Sequence, residues 1–489
     1  MSRASRFSGM DLRRMFEPKN IAVVGVSENF LNPGTVIFKK NLHEMEVNTF
    51  GVNPKGGVID GREIYRKVSD IPVDLDLVVV AIRAEYVNPV VEECGEVGVG
   101  GVVVISGGFA EAGKEGAERQ NELTRIALKY DLPVIGPNCF GIYSPPYVDT
   151  FFLPSERMVR LQPGNIAIIS QSGGFMVDHF FSRFYERNLG ISIAVGVGNK
   201  AVVDEAMILK YLEKDPRTKI ITFYIEGFRE GEGARFLEAA RSCTEKKTVI
   251  VFRAGKTETA KRVVASHTGL MSTSPRLFSA ALKQNGIIEA RSEDEIVSFA
   301  KVFSFNLKPI ERGNVAIVTI SGGHGVVCSD LCAEAGLRLV ELTEEEQKDL
   351  RSRLKPSAAY VATLKNPIDL TGSATDDDME TTLSFLLEKE DVDAVIILTF
   401  PYPPALSLTL GRRLSNTAVL YDKPVVAHVP WLPKYSMIVE GFEYNGVPVA
   451  HTIAEVVQMI KALYLRGQLL KAARERTLEA VAKTPSNPA

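Results

Sequence analysis

Histidine is scarce in this chain, with six among 489 residues, and one of them sits where chemistry is possible. His267 lies in Val263-Val264-Ala265-Ser266-His267-Thr268-Gly269, among small and hydroxyl-bearing residues. Residues 248–256 before it read as a buried strand running into a basic loop, and residues 274–284 after it read as a helix. An imidazole on a loop between such elements is free to reach a ligand, and its unprotonated nitrogen is a nucleophile at neutral pH. Glu226 closes another apolar run, Lys219-Ile220-Ile221-Thr222-Phe223-Tyr224-Ile225. A carboxylate at that strand end would bond one imidazole nitrogen, fix the tautomer and leave the other nitrogen to attack. The competing reading is a structural histidine and a strand-end surface carboxylate.

A repeat argues against that plain reading. Gly164-Asn165-Ile166-Ala167-Ile168-Ile169-Ser170-Gln171-Ser172-Gly173-Gly174 matches Gly313-Asn314-Val315-Ala316-Ile317-Val318-Thr319-Ile320-Ser321-Gly322-Gly323 at an offset of 149 residues. That offset is a domain length. Each copy reads as a buried strand, a tight turn and a helix, expected over 175–188 and 326–335. Each helix is followed by a stop signal, Gly190 or Gly336. A Ser-Gly-Gly turn at a helix start presents unpaired N–H groups and the positive end of the helix dipole. Such a turn binds phosphate without a lysine. Ser172, Gly173 and Gly174 form one candidate phosphate cradle, and Ser321, Gly322 and Gly323 the other. His324 follows the second cradle and is the rival phosphoryl acceptor. It ranks below His267, because a residue at a helix start is better placed to bind phosphate than to carry it. His428 and His451 read as strand-end or cap residues.

The elements that must hold these groups are strands buried on both faces. Asn20–Ser27, Thr49–Lys55, Asp76–Ile82, Gly101–Gly108 and Pro133–Asn138 are Val- and Ile-rich runs without polar alternation, separated by helical stretches. That pattern predicts a doubly wound α/β sheet, whose ligand sits at the carboxyl ends of the strands. Gly25, Ser27, Asn53 and Lys55 are predicted there, as are Ser106, Gly107, Gly108 and Asn138. Glycines let the backbone approach a phosphate, serine adds a hydroxyl, and Lys55 can pair with an anion. Gly25-Val26-Ser27 lacks the full Gly-x-Gly-x-x-Gly fingerprint, so a dinucleotide is weakly supported.

Composition narrows the function. Hydrophobic content of 45% and charged content of 24% are those of an ordinary globular protein. The length predicts about three domains, placed at 1–147, 148–307 and 308–489. A net charge of −3 gives no basic field for nucleic acid. No apolar run approaches the length of a membrane span, and the start of the chain lacks a secretory signal. Five scattered cysteines fit a reducing cytoplasm, and no His/Cys spacing suggests a metal site. Cys328 and Cys332, four apart on an expected helix, read as core. The tail from Arg474 is expected to fray.

Taken together, Ser-Gln-Ser-Gly-Gly at 170–174, Gly-Asn-Lys at 198–200, Tyr-x-Glu-Gly at 224–227, Ser-His-Thr-Gly at 266–269 and Asn-Pro-x-Asp-Leu at 366–370 carry a family resemblance. Over about residues 20–470 the chain resembles the alpha subunits of NDP-forming (ADP-forming) acyl-CoA synthetases, within the succinyl-CoA synthetase superfamily. The resemblance implies a Rossmann-like CoA-binding domain followed by two flavodoxin-like domains. It implies that coenzyme A binds the first domain and that phosphate converts a bound acyl-CoA to an acyl phosphate. The phosphoryl group then moves to His267, partnered by Glu226, and on to ADP. The resemblance further implies an ATP-grasp beta subunit that binds ADP/ATP with Mg, in an α2β2 heterotetramer, since no ATP-grasp domain is found here. The third-domain turn departs from the family's common Asn-Ala-Gly-Gly, reading Ile320-Ser321-Gly322-Gly323-His324. Two alternatives stand beside the enzyme: a non-catalytic CoA-binding regulatory module, and an acyltransferase without phosphoryl chemistry. The second leaves both cradles unexplained.

Overall fold

The structure, a computed structural model, describes residues 10–257, 259–260 and 274–483. It divides into two compact units at Arg291/Ser292. The first unit holds two sheets. In the first sheet the strands are β1 (Asn20–Val24), β2 (Asn48–Val52), β3 (Gly57–Ile59), β4 (Arg62–Tyr65), β5 (Leu77–Val80), β6 (Val102–Val104) and β7 (Val134–Ile135). Their order is β3-β4-β2-β1-β5-β6-β7, parallel except for the β3/β4 hairpin. The chain winds one way from β1 to β2 and the other way from β5 onward. The crevice between β1 and β5 is therefore the topological switch point, where such sheets bind ligands. All four residues of β5 and all three of β6 are buried, as unbroken valine runs require.

The second sheet takes β8 (Gly141–Ser144), β9 (Val148–Asp149), β10 (Pro163–Ser170), β11 (Ile191–Gly196), β12 (Ile220–Ile225), β13 (Thr248–Arg253) and β14 (Ile288–Ala290) in the order β14-β13-β12-β10-β11-β8-β9. β8 and β9 are antiparallel additions at its edge, and the other five strands run parallel. The two sheets share one apolar cluster. It runs from Ile21 and Val79 through Ile142 and Val148 to Ile169 and Val195.

The second unit holds β15 (Asn314–Thr319), β16 (Arg338–Leu339), β17 (Ile368–Asp369), β18 (Ala394–Leu398), β19 (Val425–His428) and β20 (Val449–Ala450). Its order is β16-β15-β18-β19-β20, all parallel, with β17 also pairing β15. The Asn366 side chain completes this edge. Its Oδ1 accepts the Ile317 N–H at 2.9 Å, and its Nδ2 donates to the Val315 and Val340 carbonyls at 2.9 and 3.0 Å. The sheets built on β10 and β15 thus share one flavodoxin-like winding, as the 149-residue repeat predicts.

Two expectations are corrected. The repeat helices start earlier than predicted, at Gly173 and Gly322, because the Ser-Gly-Gly turn is itself the first helical turn. The chain stays helical past Arg474: a helix runs Ile453–Lys483 and packs against the Glu293–Ser304 helix, with Lys461 on Glu295 at 2.5 Å. All five cysteines are buried and unbridged, Cys328 and Cys332 within the Gly322–Glu334 helix. Among the described residues no helix is long and apolar enough to cross a membrane, and no three His, Cys, Asp or Glu side chains converge as a metal site.

Candidate functional site

The residues expected at the first sheet's carboxyl edge do lie there, and most are braced against one another. Gly25 has φ +106°, and a Cβ on it would meet the Ala81 carbonyl oxygen at 2.4 Å, so only glycine turns the chain here. The Ser27 N–H donates to Thr35 Oγ1 at 2.9 Å, at the start of the Pro33–Glu44 helix. Asn53 Nδ2 donates to the Val26 carbonyl at 2.7 Å, and its Oδ1 accepts the Lys55 N–H at 2.9 Å. Lys55 itself is exposed, and its ammonium makes no hydrogen bond or ion pair among the described residues. Ser106 Oγ clamps the loop that follows β5 by donating to the Ile82 carbonyl at 2.5 Å. Gly107 lies beside Asn138, whose Oδ1 a Cβ would approach to 3.4 Å.

Gly108 and Phe109 do not present bare N–H groups. Both donate to Glu111 Oε1, at 2.6 and 3.1 Å. Burial pushes the Glu111 carboxyl up, but the Asn199 amide and these N–H donors outweigh it and hold the group below its ordinary value.

Asn138, at φ +55°, and Asn199 tie this edge to the second sheet. Asn199 Nδ2 donates to Glu111 Oε2 at 2.5 Å and to Gln120 Oε1 at 3.0 Å, and Asn138 Nδ2 donates to Asn199 Oδ1 at 3.4 Å. The next residue turns inward. Lys200 is 4% exposed and reaches Glu205 and Glu232 at 3.2 and 3.0 Å. Burial lowers the Lys200 ammonium, yet the two carboxylates prevail and raise it. Burial raises Glu205, and the neighbouring Glu232 adds to that. Lys200, Glu205 and the role of Gln171 below have no spacing signature in the sequence. Only the Gly-Asn-Lys motif hinted at the first.

The first Ser-Gly-Gly turn is built by short polar contacts. Ser170 Oγ donates to the Ser172 carbonyl at 2.7 Å and accepts the Ser172 N–H at 3.2 Å. Ser172 Oγ caps the helix by accepting the Phe175 N–H at 3.3 Å. Gly173 packs on Phe140, while Gly174 faces open space. Between the serines, Gln171 reaches sideways. Its Oε1 accepts the N–H groups of Glu226 and Gly227 at 2.7 and 3.1 Å. Glu226, 8% exposed, sits one residue past β12. Ile225 pairs with Arg253, and the Ala254 N–H donates to the Ile225 carbonyl at 3.0 Å, so β13 ends beside Glu226. His267 lies outside the described residues.

The second turn repeats the brace. Thr319 Oγ1 donates to the Ser321 carbonyl at 3.0 Å and accepts the Ser321 N–H at 3.1 Å. Gly322 lies near Asp369, and Gly323 faces open space. His324 lies with its ring centroid 5.3 Å from Phe400 and 5.9 Å from His428. The Nδ1 atoms of both histidines are buried without a hydrogen-bond partner among the described residues. Burial, then the neighbouring His324, pushes the His428 imidazolium down to about 4. His451 Nδ1 lies 3.0 Å from the Val429 carbonyl oxygen.

The chain matches three family models in sequence: a CoA binding domain over 19–145, a succinyl-CoA ligase like flavodoxin domain over 163–303 and a Ligase-CoA domain over 315–440. These models and the two wound sheets define a CoA ligase of the succinyl-CoA ligase type. The alpha subunit of the ADP-forming acetate–CoA ligase II of Pyrococcus furiosus is 38% identical over 454 residues, 92% of this chain and 96% of that one. ADP-forming acetate–CoA ligase I of Archaeoglobus fulgidus is 37% identical over 80% of this chain, which spans only 55% of that longer protein. The solved structure of Ca. Korarchaeum cryptofilum dinucleotide forming acetyl-coenzyme A synthetase 1, in complex with phosphate and ADP, superposes with a TM-score of 0.86 at 31% identity, covering 95% of this chain and 99% of that one. The chain belongs to the ADP-forming acyl-CoA synthetase family.

Proposed function

We propose that this chain is the alpha subunit of a reversible acid–thiol ligase that interconverts acyl-CoA, phosphate and ADP with carboxylic acid, CoA and ATP. Its three domains are taken as 1–147, 148–307 and 308–489. CoA lies along the first sheet's carboxyl edge, at Gly25, Ser27, Asn53, Lys55, Ser106, Gly107, Gly108 and Asn138. A phosphate oxygen attacks the thioester carbonyl, the CoA thiolate leaves, and an acyl phosphate forms. A His267 nitrogen then attacks phosphorus, so that a P–N bond replaces the P–O bond and the carboxylate departs. The Glu226 carboxylate accepts a hydrogen bond from the proton-bearing nitrogen of the ring. The backbone donors of Ser172–Gly174 and Ser321–Gly323 stabilise the phosphoryl oxygens. ADP, with Mg held mainly by an ATP-grasp partner in an α2β2 cytoplasmic assembly, takes the phosphoryl group from His267. Dividing a three-substrate reaction in this way replaces one difficult step with easier ones.

The observation that carries this reading is the join between cradle and carboxylate. Gln171, inside the first cradle, holds the backbone of the buried Glu226. The test incubates the chain with inorganic phosphate and a panel of short-chain and aryl acyl-CoA thioesters, with and without an ATP-grasp partner, followed by mass spectrometry. One added phosphoryl group on His267, absent in His267→Ala while CoA binding is retained, is the expected result. Phosphate on His324 would overturn the acceptor assignment. CoA binding with no phosphorylation anywhere would favour the regulatory module.

A further inference from the structure

We propose that Gln171 is a positioning residue for phosphoryl transfer, acting through Glu226 and held in its one working orientation by Glu205. The proposal rests on the reading of Glu226 given above.

The geometry leaves Gln171 no alternative pose. On one side its Oε1 accepts two backbone N–H groups, those of Glu226 and Gly227 at 2.7 and 3.1 Å. On the other its Nε2 donates to Glu205 Oε1 at 2.6 Å and to the Gly227 carbonyl at 2.9 Å. Reversing the amide would set NH2 against two N–H donors and C=O against a carboxylate and a carbonyl, so all four bonds fix one orientation. Glu205 is fixed in turn. It is 1% exposed, and Lys200 holds it at 3.2 Å. Asn199, next to Lys200, bonds Glu111 at the edge assigned to CoA. A chain of polar contacts, exposed at Glu111 and buried from Lys200 onward, therefore runs from that edge to the backbone of Glu226.

The repeat shows that the fold does not need this amide. In the sister turn the same position is Ile320, 3% exposed, and the flanking Thr319–Ser321 brace forms as well as Ser170–Ser172 does. The ladder registers also align. Ser170 pairs with Tyr224 and Thr319 with Leu398, so the residue matching Glu226 is Phe400. A polar pair, Gln171 and Glu226, occurs in one copy, and an apolar pair, Ile320 and Phe400, in the other. The amide and the carboxylate vary together, as they would if the first exists to place the second.

The test measures phosphorylation of the full chain from inorganic phosphate and the acyl-CoA that phosphorylates wild type fastest. Gln171→Met deletes the four hydrogen bonds at nearly equal length. It should slow phosphorylation by about 10²-fold, the scale of a misplaced catalytic group, with KM for the acyl-CoA unchanged. The double variant with Glu226→Gln should be no slower than Glu226→Gln alone, because the amide acts only through that residue. Gln171→Glu supplies a second probe that does not depend on Gln171→Met folding. A protonated carboxyl offers C=O and one O–H where the amide offers C=O and two N–H, so it restores three of the four bonds, and this variant should regain part of the rate as pH falls, while Gln171→Met should not. Losses that multiply in the double variant, or an equal loss of CoA affinity, would overturn the proposal. Wild-type speed in Glu226→Gln alone would instead sink the reading of Glu226, and the positioning role with it.

Discussion

Two copies of one strand–turn–helix unit occur in this chain, and they are furnished differently. Ser172 caps its helix with its own hydroxyl, whereas Ser321 makes no such bond. At the third helical position Phe175 stacks on Tyr224 with ring centroids 4.2 Å apart, whereas His324 sits between Phe400 and His428. Register places Phe252 where the second copy has His428. The first helix contains a π-helical stretch, Met176–Phe181, and the second is regular through Glu334. One copy thus carries an amide in its turn with aromatic rings beneath it, and the other an aliphatic residue in its turn with imidazoles beneath. The shared backbone supplies the anion-binding helix start, and the side chains around it decide what else each copy does.

The largest difference should appear in acid. Above about pH 6.5 the unfolded chain and the folded site both hold His428 neutral. Below it the unfolded imidazole takes a proton, while the folded one, buried and facing His324, His451 and Glu455, resists until about pH 4. Stability present above 6.5 therefore drains away as pH falls through that window, by on the order of 3 kcal/mol. Urea unfolding of wild type against His428→Phe, which installs the sister residue, should show the variant losing less stability between pH 6.5 and 4. Identical acid slopes would break the contrast.

Next in size is a steric asymmetry. A Cβ on Gly173 would lie 1.9 Å from the Phe140 ring, but one on Gly322 would meet only the Asp369 carboxylate at 3.1 Å. Gly173→Ala should cost about 1–3 kcal/mol, the range for overpacking, and Gly322→Ala clearly less. Equal shifts in thermal midpoint would mean that Phe140 yields freely. The smallest effect concerns the caps: Ser172→Ala should lower stability by about 1 kcal/mol and Ser321→Ala by almost nothing. A larger cost at Ser321 would show that its hydroxyl has work that the first copy's lacks.

Much of this was legible beforehand, for reasons that particular residues make plain. Valine runs such as Leu77–Val80 can only be strands covered on both faces, and the 149-residue offset announced two related sheets. Glu226 was placed correctly past a strand, because an acidic residue ends an apolar run. The helix starts were read late because glycine is a poor helix former and hides a first turn built to expose N–H groups. Asn53 and Ser106 read as polar groups at the end of the first sheet, but spacing cannot reveal that each already braces a neighbouring loop. Gln171 was hidden for the same reason. Its partners lie 34, 55 and 56 residues away, and only the comparison with Ile320 marks its role.

The buried cysteines carry a consequence for a family that handles a thiol and its thioesters. Burial lifts the Cys139 thiol to about 12 and raises Cys94 as well, so neither is a thiolate at neutral pH. The other three are equally shut in. An acyl thioester or a disulfide in solution therefore meets no exposed cysteine thiol among the described residues. None of the five thiols is presented at the surface, so none is available for transthioesterification or mixed-disulfide formation without local opening of the fold.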